Sequence, residues 1–271
     1  MGKIKKDSLG DRMKRYEGVS KGSLVSRMPV ILRIDGCHFH TFTRGFDKPF
    51  DWYFMGAMQH TMKYLCENIQ GCVFGYTQSD EITLVLIDYQ KINSSAWFDN
   101  EIQKMCSVSA SMAAMAFNNY FKDSVNKDGA IGIADAQWNA YMRAIKTGAY
   151  FDCRVFNVPQ SDVCNCVLWR QQDATRNSIQ ALAQANFSPK ELHGLSCNQL
   201  QEKLFSEKGI NWNDLTIPEK RGTACIKQKY SFTNQHGEIT VRSGWELDYN
   251  MPILTQDRQY IEKLIFVEEN D

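Results

Sequence analysis

The 271-residue sequence contains no apolar run near the roughly 20 residues that a bilayer-spanning helix needs, so no membrane partner is expected. The basic start, Met1 to Lys6, has no apolar segment behind it, which predicts against a secretory leader. Neither sign of charge dominates: 31 Lys and Arg residues balance 31 Asp and Glu residues, which excludes a globally basic nucleic-acid surface. Internal repeats and low-complexity tracts are absent, and no Pro-, Gly- or Ser-rich linker divides the chain. The expectation is therefore a single domain over residues 1–271, with a core at 24–160 and an extension at 161–271. A disulfide framework is also missing. The nine cysteines are odd in number and irregularly spaced, which predicts reduced thiols in a cytoplasmic protein. Cys164 and Cys166 form the one close pair, tighter than a zinc knuckle and without a second pair to complete it.

Hydrophobic residues make up 43% of the chain, enough for a sizeable core. Residues 1–22 carry seven basic side chains against three acidic ones, an arm that could grip phosphates or simply be solvated. Pro29 to Gly36 is a β-branched run stopped by Asp-Gly, which reads as a buried strand ending in a turn. Asp51 is placed as an N-cap, and Met55, Met58, Met62, Leu65, Cys66 and Ile69 behind it fall at helical spacing over 52–70. Two strand-like runs, Cys72–Thr77 and Glu81–Ile87, flank a polar break and predict a β-hairpin. A long helix is expected from about residue 95 to 121, with Phe98, Ile102, Met105, Met112 and Ala116 on one side, and a strand over Tyr150–Val158. Beyond it, 161–185 and 197–207 read as helices. Thr223–Phe232 and Glu238–Glu246 read as strands around a turn at Asn234–Gly237.

If the first strand lies beside the central hairpin, Asp35, Asp80 and Glu81 meet at one edge of the sheet in a split βαβ arrangement. Such a cluster repels itself unless a cation neutralises it, and hard oxygen ligands suit magnesium. Two ions about 3.5–4 Å apart would serve phosphoryl transfer. Gly36 permits a close backbone approach. The amides from Cys37 through His38 and Phe39 to His40 could cradle a triphosphate, Lys48 could supply positive charge, and Ser79 a hydroxyl. Each feature also has an ordinary reading: a turn at Asp35-Gly36, solvated turn residues at Ser79–Glu81, and surface or packing histidines at 38 and 40.

Whole strings then match a family pattern. Arg33-Ile34-Asp35-Gly36-Cys37-His38-Phe39-His40-Thr41-Phe42-Thr43 with Phe46–Asp51 resembles the opening motif of the tRNA-histidine guanylyltransferase family. Gly75–Glu81 resembles its second metal motif, and Trp169-Arg170-Gln171-Gln172-Asp173 a third signature downstream. The resemblance implies an α+β fold, with a palm-like (ferredoxin-like) antiparallel sheet, helices on one face and a C-terminal α/β extension. It implies a nucleotidyltransferase that extends RNA 3′ to 5′, using two Mg2+ ions, with ATP and GTP as substrates and tRNA as partner, in a homotetramer. Asp35, Asp80 and the Gly36 carbonyl are implied as metal ligands, and Glu81 as support for the carboxylate cluster. Ser79, His40, Lys48 and Asp51 are implied near the nucleotide or its triphosphate.

One departure separates this sequence from the eukaryotic enzymes. Where they continue into His-Ile-Asn-Asn-Leu-Tyr-Asn, a string associated with adding G to tRNA-His, this chain reads Ala174-Thr175-Arg176-Asn177-Ser178-Ile179-Gln180. That resembles the guanylyltransferase-like branch, which favours templated repair of truncated tRNA 5′ ends. Repair is the expectation, with G addition to tRNA-His as the alternative. A palm-type nucleotide cyclase is more distant, because Gln78–Ile82 lacks the glycine pair of the cyclase hairpin. Intact Asp35, Asp80 and Glu81 argue against a non-catalytic RNA-binding protein.

Overall fold

The computed structural model describes residues 8–233 and 239–267. Helix α1 (Leu9–Gly18) precedes strand β1 (Val30–Gly36), the one-turn helix α2 (Phe39–Phe42), helix α3 (Trp52–Asn68) and the hairpin β2 (Cys72–Gln78)–β3 (Glu81–Leu86). Helices α4 (Ile102–Asp128) and α5 (Asp135–Thr147), strand β4 (Phe151–Asn157) and helix α6 (Gln160–Asn186) follow. The chain continues through α7 (Pro189–Leu192), α8 (Cys197–Lys208), α9 (Ile217–Arg221), β5 (Thr223–Thr233), β6 (Ile239–Asp248) and α10 (Gln259–Ile265).

The six strands form one antiparallel sheet in the order β4-β1-β3-β2-β5-β6. Alternation along β1 sends Leu32 and Ile34 to one face and Ile31 to the other, and both faces are covered. Against the first face pack α3, α4 and α5 through Met58, Met62, Ala113, Phe117, Phe121 and Tyr141. The second face is closed by the C-terminal third, through Val163 and Val167 of α6 and Ile261 and Ile265 of α10. That third also extends the sheet with β5 and β6, so the sheet runs unbroken through both parts of the chain. A smaller cluster under α8 is built from Ile179, Leu182, Leu200 and Leu204.

Several boundaries differ from the sequence reading. The long helix begins at Ile102 rather than near 95 and reaches Asp128. Phe98, expected on its buried side, lies before it and is 37% exposed, because Phe98, Asp99 and Asn100 all take left-handed backbone angles that interrupt helical winding. Helix α5 had no counterpart in the sequence reading, although its Ala140, Tyr141 and Ala144 reach the core. The expected turn at Asn234–Gly237 and residues 1–7 of the basic arm lie outside the described residues.

Candidate active site

The register of β1 places Asp35 directly opposite Glu81 on β3 and Asp152 on β4, so three acidic residues form a row across the strand ends. The β2–β3 turn is tight. Ser79 adopts a left-handed φ of 50°, and its hydroxyl donates to Asp80 Oδ1 at 3.0 Å. The Gly36 amide donates to the Asp80 carbonyl at 3.0 Å, which ties the end of β1 to the hairpin tip. Gly36 has no room for a side chain, since a Cβ there would lie 2.3 Å from the Phe39 ring.

The two carboxylates next to each other on the hairpin differ in surroundings. Glu81 is buried and accepts from Arg170 Nε at 2.6 Å, with Arg33 Nε 3.2 Å from its other oxygen. Burial pushes the Glu81 carboxyl up, and the two guanidiniums oppose that rise. Arg170 also binds Asp173 at 2.9 Å. Burial works against its charge, but the two carboxylates more than offset it and raise its pKa. Asp80 is raised by burial and, in part, by the nearby charge of Asp35. Neither Asp35 nor Asp80 forms an ion pair among the described residues, because both neighbouring arginines are engaged by Glu81. Two half-buried carboxylates beside a backbone turn, with no protein cation, make an all-oxygen donor set suited to a hard divalent ion. Among the described residues, no group of three or more His, Cys, Asp and Glu side chains is arranged around a metal position. An ion here would complete its shell from backbone, water or substrate.

A cavity of about 390 Å³ opens beside Asp80. His40 reaches it from α2 and Lys48 from the loop between α2 and α3, Ser79 from the hairpin, and Asn177 and Ser178 from α6, with Gly222 behind α9 closing the wall. Lys48 and His40 are exposed polar side chains facing this space. Phe39 also borders it, but its ring is a core group packed against Phe42, Phe54, Phe117 and Phe151. Asp51 is 5% exposed, and its carboxylate accepts from the Phe54 amide at 2.9 Å, the Asp47 amide at 3.1 Å and the Tyr141 hydroxyl at 2.6 Å. It caps α3 and holds the Lys48 loop, so it shapes the cavity from behind.

The phosphate cradle expected from residues 37–40 is narrower than the sequence suggested. The Cys37 amide donates to the Tyr150 carbonyl at 2.8 Å, because the chain after β1 stays joined to the start of β4. Cys37 and His38 fall outside the cavity wall. His38 takes a left-handed φ of 56°, turning the chain into α2 and leaving the amides of His38, Phe39 and His40 without hydrogen bonds among the described residues.

This constellation can be set beside known proteins. The family model for tRNAHis guanylyltransferase matches residues 10–159, more than half of the chain. The chain belongs to the tRNA(His) guanylyltransferase family. Members of this family are nucleotidyltransferases. A bacterial tRNA(His) guanylyltransferase-like protein in complex with ATP shares 42% identity with this chain. It superposes with a TM-score of 0.82, the match covering 96% of this chain and 100% of that one. A bacterial guanylyltransferase-like protein in complex with GTP gives 41% identity and a TM-score of 0.78 over the same shares. A probable tRNA(His) guanylyltransferase of Mus musculus is 27% identical over 74% of this chain, which spans 65% of the mouse protein.

Within this family framework, the residues that sequence reasoning missed are Arg33, Arg170, Asn177 and Ser178. The Trp169–Asp173 string was visible but carried no role. Its Arg170 proves to be the buried partner of Glu81, 89 residues away in sequence. Ala174, Asn177, Ser178 and Ala181 line the cavity at helical spacing, a pattern readable only once α6 is known to cross the sheet.

Proposed function

We propose that this chain adds nucleotides to the 5′ end of tRNA, with templated repair of truncated 5′ ends as its task. The observation that carries this reading is Asp80 in the wall of a cavity edged by Lys48, His40 and Ser79, with Asp35 near it at the strand end and neither carboxylate in an ion pair among the described residues. The bacterial guanylyltransferase-like relatives held ATP and GTP, which supports those two substrates here. Asp35, Asp80 and the Gly36 carbonyl would hold two Mg2+ ions. Bound there, magnesium supplies charge stabilisation for the attacking and leaving oxygens.

The remaining steps belong to the chain. Lys48 and His40 bind the triphosphate of the incoming nucleotide, and the unbonded amides of His38 to His40 add donors. Ser79 holds the Asp80 carboxylate in place by its hydroxyl. Arg33 and Arg170 neutralise Glu81, so that it stiffens the strand ends without adding free negative charge. The α-phosphorus of the RNA 5′ end, as a triphosphate or as a monophosphate adenylylated by ATP with loss of pyrophosphate, is attacked by the 3′-hydroxyl of the incoming nucleotide, which gives up its proton as pyrophosphate or AMP, respectively, departs. The nine free cysteines support a cytoplasmic location. The homotetramer rests on family resemblance.

The test is nucleotide addition to a 5′-monophosphorylated tRNA lacking its first nucleotide, beside full-length tRNA-His, with Mg2+, ATP and all four NTPs. Templated addition to the truncated tRNA that disappears on chelation and in Asp80→Ala is the expected result. Addition confined to tRNA-His would replace repair with G addition, and no addition to either RNA would refute both.

A further inference from the structure

Helix α6 has a second lined side. Ala174, Asn177, Ser178 and Ala181 face the nucleotide cavity, whereas Trp169, Gln172, Thr175 and Arg176 wall an open depression of about 410 Å³. At 100° per residue the two sets lie on opposite flanks of the helix. Trp169 is 49% exposed, although it is the largest apolar side chain on a helix that buries Val163, Val167, Ile179 and Leu182.

The floor beside Trp169 is basic. The Arg33 guanidinium lies 5.5 Å and that of Arg170 4.6 Å from the indole centroid. Arg33 Nε is buried without a hydrogen bond, its approach to Glu81 being poorly aligned, and the rest of its guanidinium makes no hydrogen bond among the described residues. Arg154 stands opposite Arg33 across β1 and β4, on the same face of the sheet, with its side chain 61% exposed. Asp35, two residues along β1 from Arg33, projects to that face as well. The acidic groups nearby are Glu81 and Asp173, both held by Arg170, and Asp152, 3.9 Å from Arg154. Arg176 is also bound to Asp173.

We propose that this trough along α6 at Trp169 receives the 5′-terminal nucleotide of the RNA, its base against the Trp169 indole and its phosphate on the Arg33 guanidinium. The inference rests on the reading of the chain as a 5′-end nucleotidyltransferase and deepens it. The incoming nucleotide occupies one flank of α6, the RNA end arrives along the other, and both reach Asp35 and Asp80 at the strand ends. A half-open indole is sequence-tolerant, since every base offers a π-face, which suits an enzyme that must accept tRNAs with different first nucleotides. Arg33, whose guanidinium is ion-paired with Glu81 but makes no hydrogen bond there, gains a hydrogen-bond acceptor in the phosphate.

The experiment measures two affinities separately in Mg2+. RNA binding is read by fluorescence anisotropy of a 3′-fluorescein-labelled, 5′-phosphorylated tRNA lacking its first nucleotide, and GTP binding by equilibrium dialysis. Trp169→Ala should raise the RNA Kd about tenfold, the loss of one stacked base, with the GTP Kd unchanged. Trp169→Phe should stay within about threefold of wild type, because a smaller ring still stacks. Arg154→Ala, at an exposed position where folding is not at risk, should weaken RNA binding and lower its salt dependence by about one ion. If Trp169→Ala and Arg154→Ala both bind this RNA as wild type does while wild type extends it, the trough is not the RNA site. Equal loss of RNA and GTP affinity in Trp169→Ala would make Trp169 a mere support of α6 and overturn the inference too. A wild-type protein that neither binds nor extends the RNA removes the functional reading and this inference together.

Discussion

Glu81 stands directly opposite Asp35 in the register of β1 and β3, yet the two carboxylates are treated differently. Glu81 is enclosed by Arg170 at 2.6 Å and Arg33 at 3.2 Å, whereas Asp35 has no ion pair among the described residues. The sheet edge therefore separates a carboxylate used to fasten α6 to the strands from two left available for metal. Removing either kind should have distinct consequences.

Arg170→Met should destabilise the fold by about 3 kcal/mol, because it leaves the buried Glu81 carboxylate with the poorly aligned Arg33 alone. Pairing it with Glu81→Gln should recover a large part of that loss, since no uncompensated charge remains. Urea unfolding of the two single variants and the double variant measures the coupling. A loss below about 1 kcal/mol in Arg170→Met would contradict the assignment of this pair as a structural fastener.

Asp80→Asn should abolish nucleotide addition without lowering the melting temperature of the metal-free protein, since it removes a charge disfavoured by partial burial and, to a smaller extent, by Asp35. Magnesium should raise the melting temperature of wild type in proportion to RT ln(1 + [Mg2+]/Kd) and leave the variant unmoved. Thermal melts at several magnesium concentrations check this. An equal shift in both proteins would place the ion elsewhere.

These two predictions draw on information of different kinds. β1 was legible because Val30, Ile31, Leu32 and Ile34 form a β-branched and aliphatic run ended by Asp-Gly. The hairpin was legible for the same reason, and the cap at Asp51 because its side chain acts within three residues. These signals are local. The partnership of Arg170 with Glu81 was not legible: it depends on how α6 crosses the sheet, which no local pattern encodes. The same holds for Asn177 and Ser178 in the cavity wall, and for β5, which joins β2 from about 150 residues away. Phe98 misled because its hydrophobicity fits the helical stripe, while the left-handed run through Asn100 is set by the surrounding fold.

Asp51 should be a positioning residue. Asp51→Ala removes the cap of α3 and the acceptor of the buried Tyr141 hydroxyl, at a cost of about 2–3 kcal/mol. Tyr141→Phe, which leaves the cap intact, should cost only about 1 kcal/mol. Because the Asp47 amide also binds Asp51, the loop bearing Lys48 loosens in Asp51→Ala, and KM for the nucleotide should rise more than KM for RNA. Steady-state kinetics with each substrate varied in turn tests this. A change confined to kcat would argue that Asp51 acts on the reacting groups instead.

Gly36→Ala tests whether the strand end is held by packing as well as by charge. The added methyl would sit 2.3 Å from a carbon of the Phe39 ring, which is itself enclosed by four other aromatic rings and cannot turn aside. Overpacking of this kind costs about 1–3 kcal/mol. The local effect should be larger than the global one. Displacing Phe39 shifts α2 and with it His40, while displacing the backbone stretches the bond from the Gly36 amide to the Asp80 carbonyl and moves the two carboxylates apart. The expected result is a protein that still folds, with a melting temperature lowered by several degrees, but that has lost nearly all nucleotide addition and most of its magnesium-induced thermal shift. Phe39→Leu in the Gly36→Ala background frees space for the methyl and should restore part of the magnesium shift. A Gly36→Ala protein with wild-type activity would mean that the strand end yields easily and that its geometry does not set the spacing of Asp35 and Asp80.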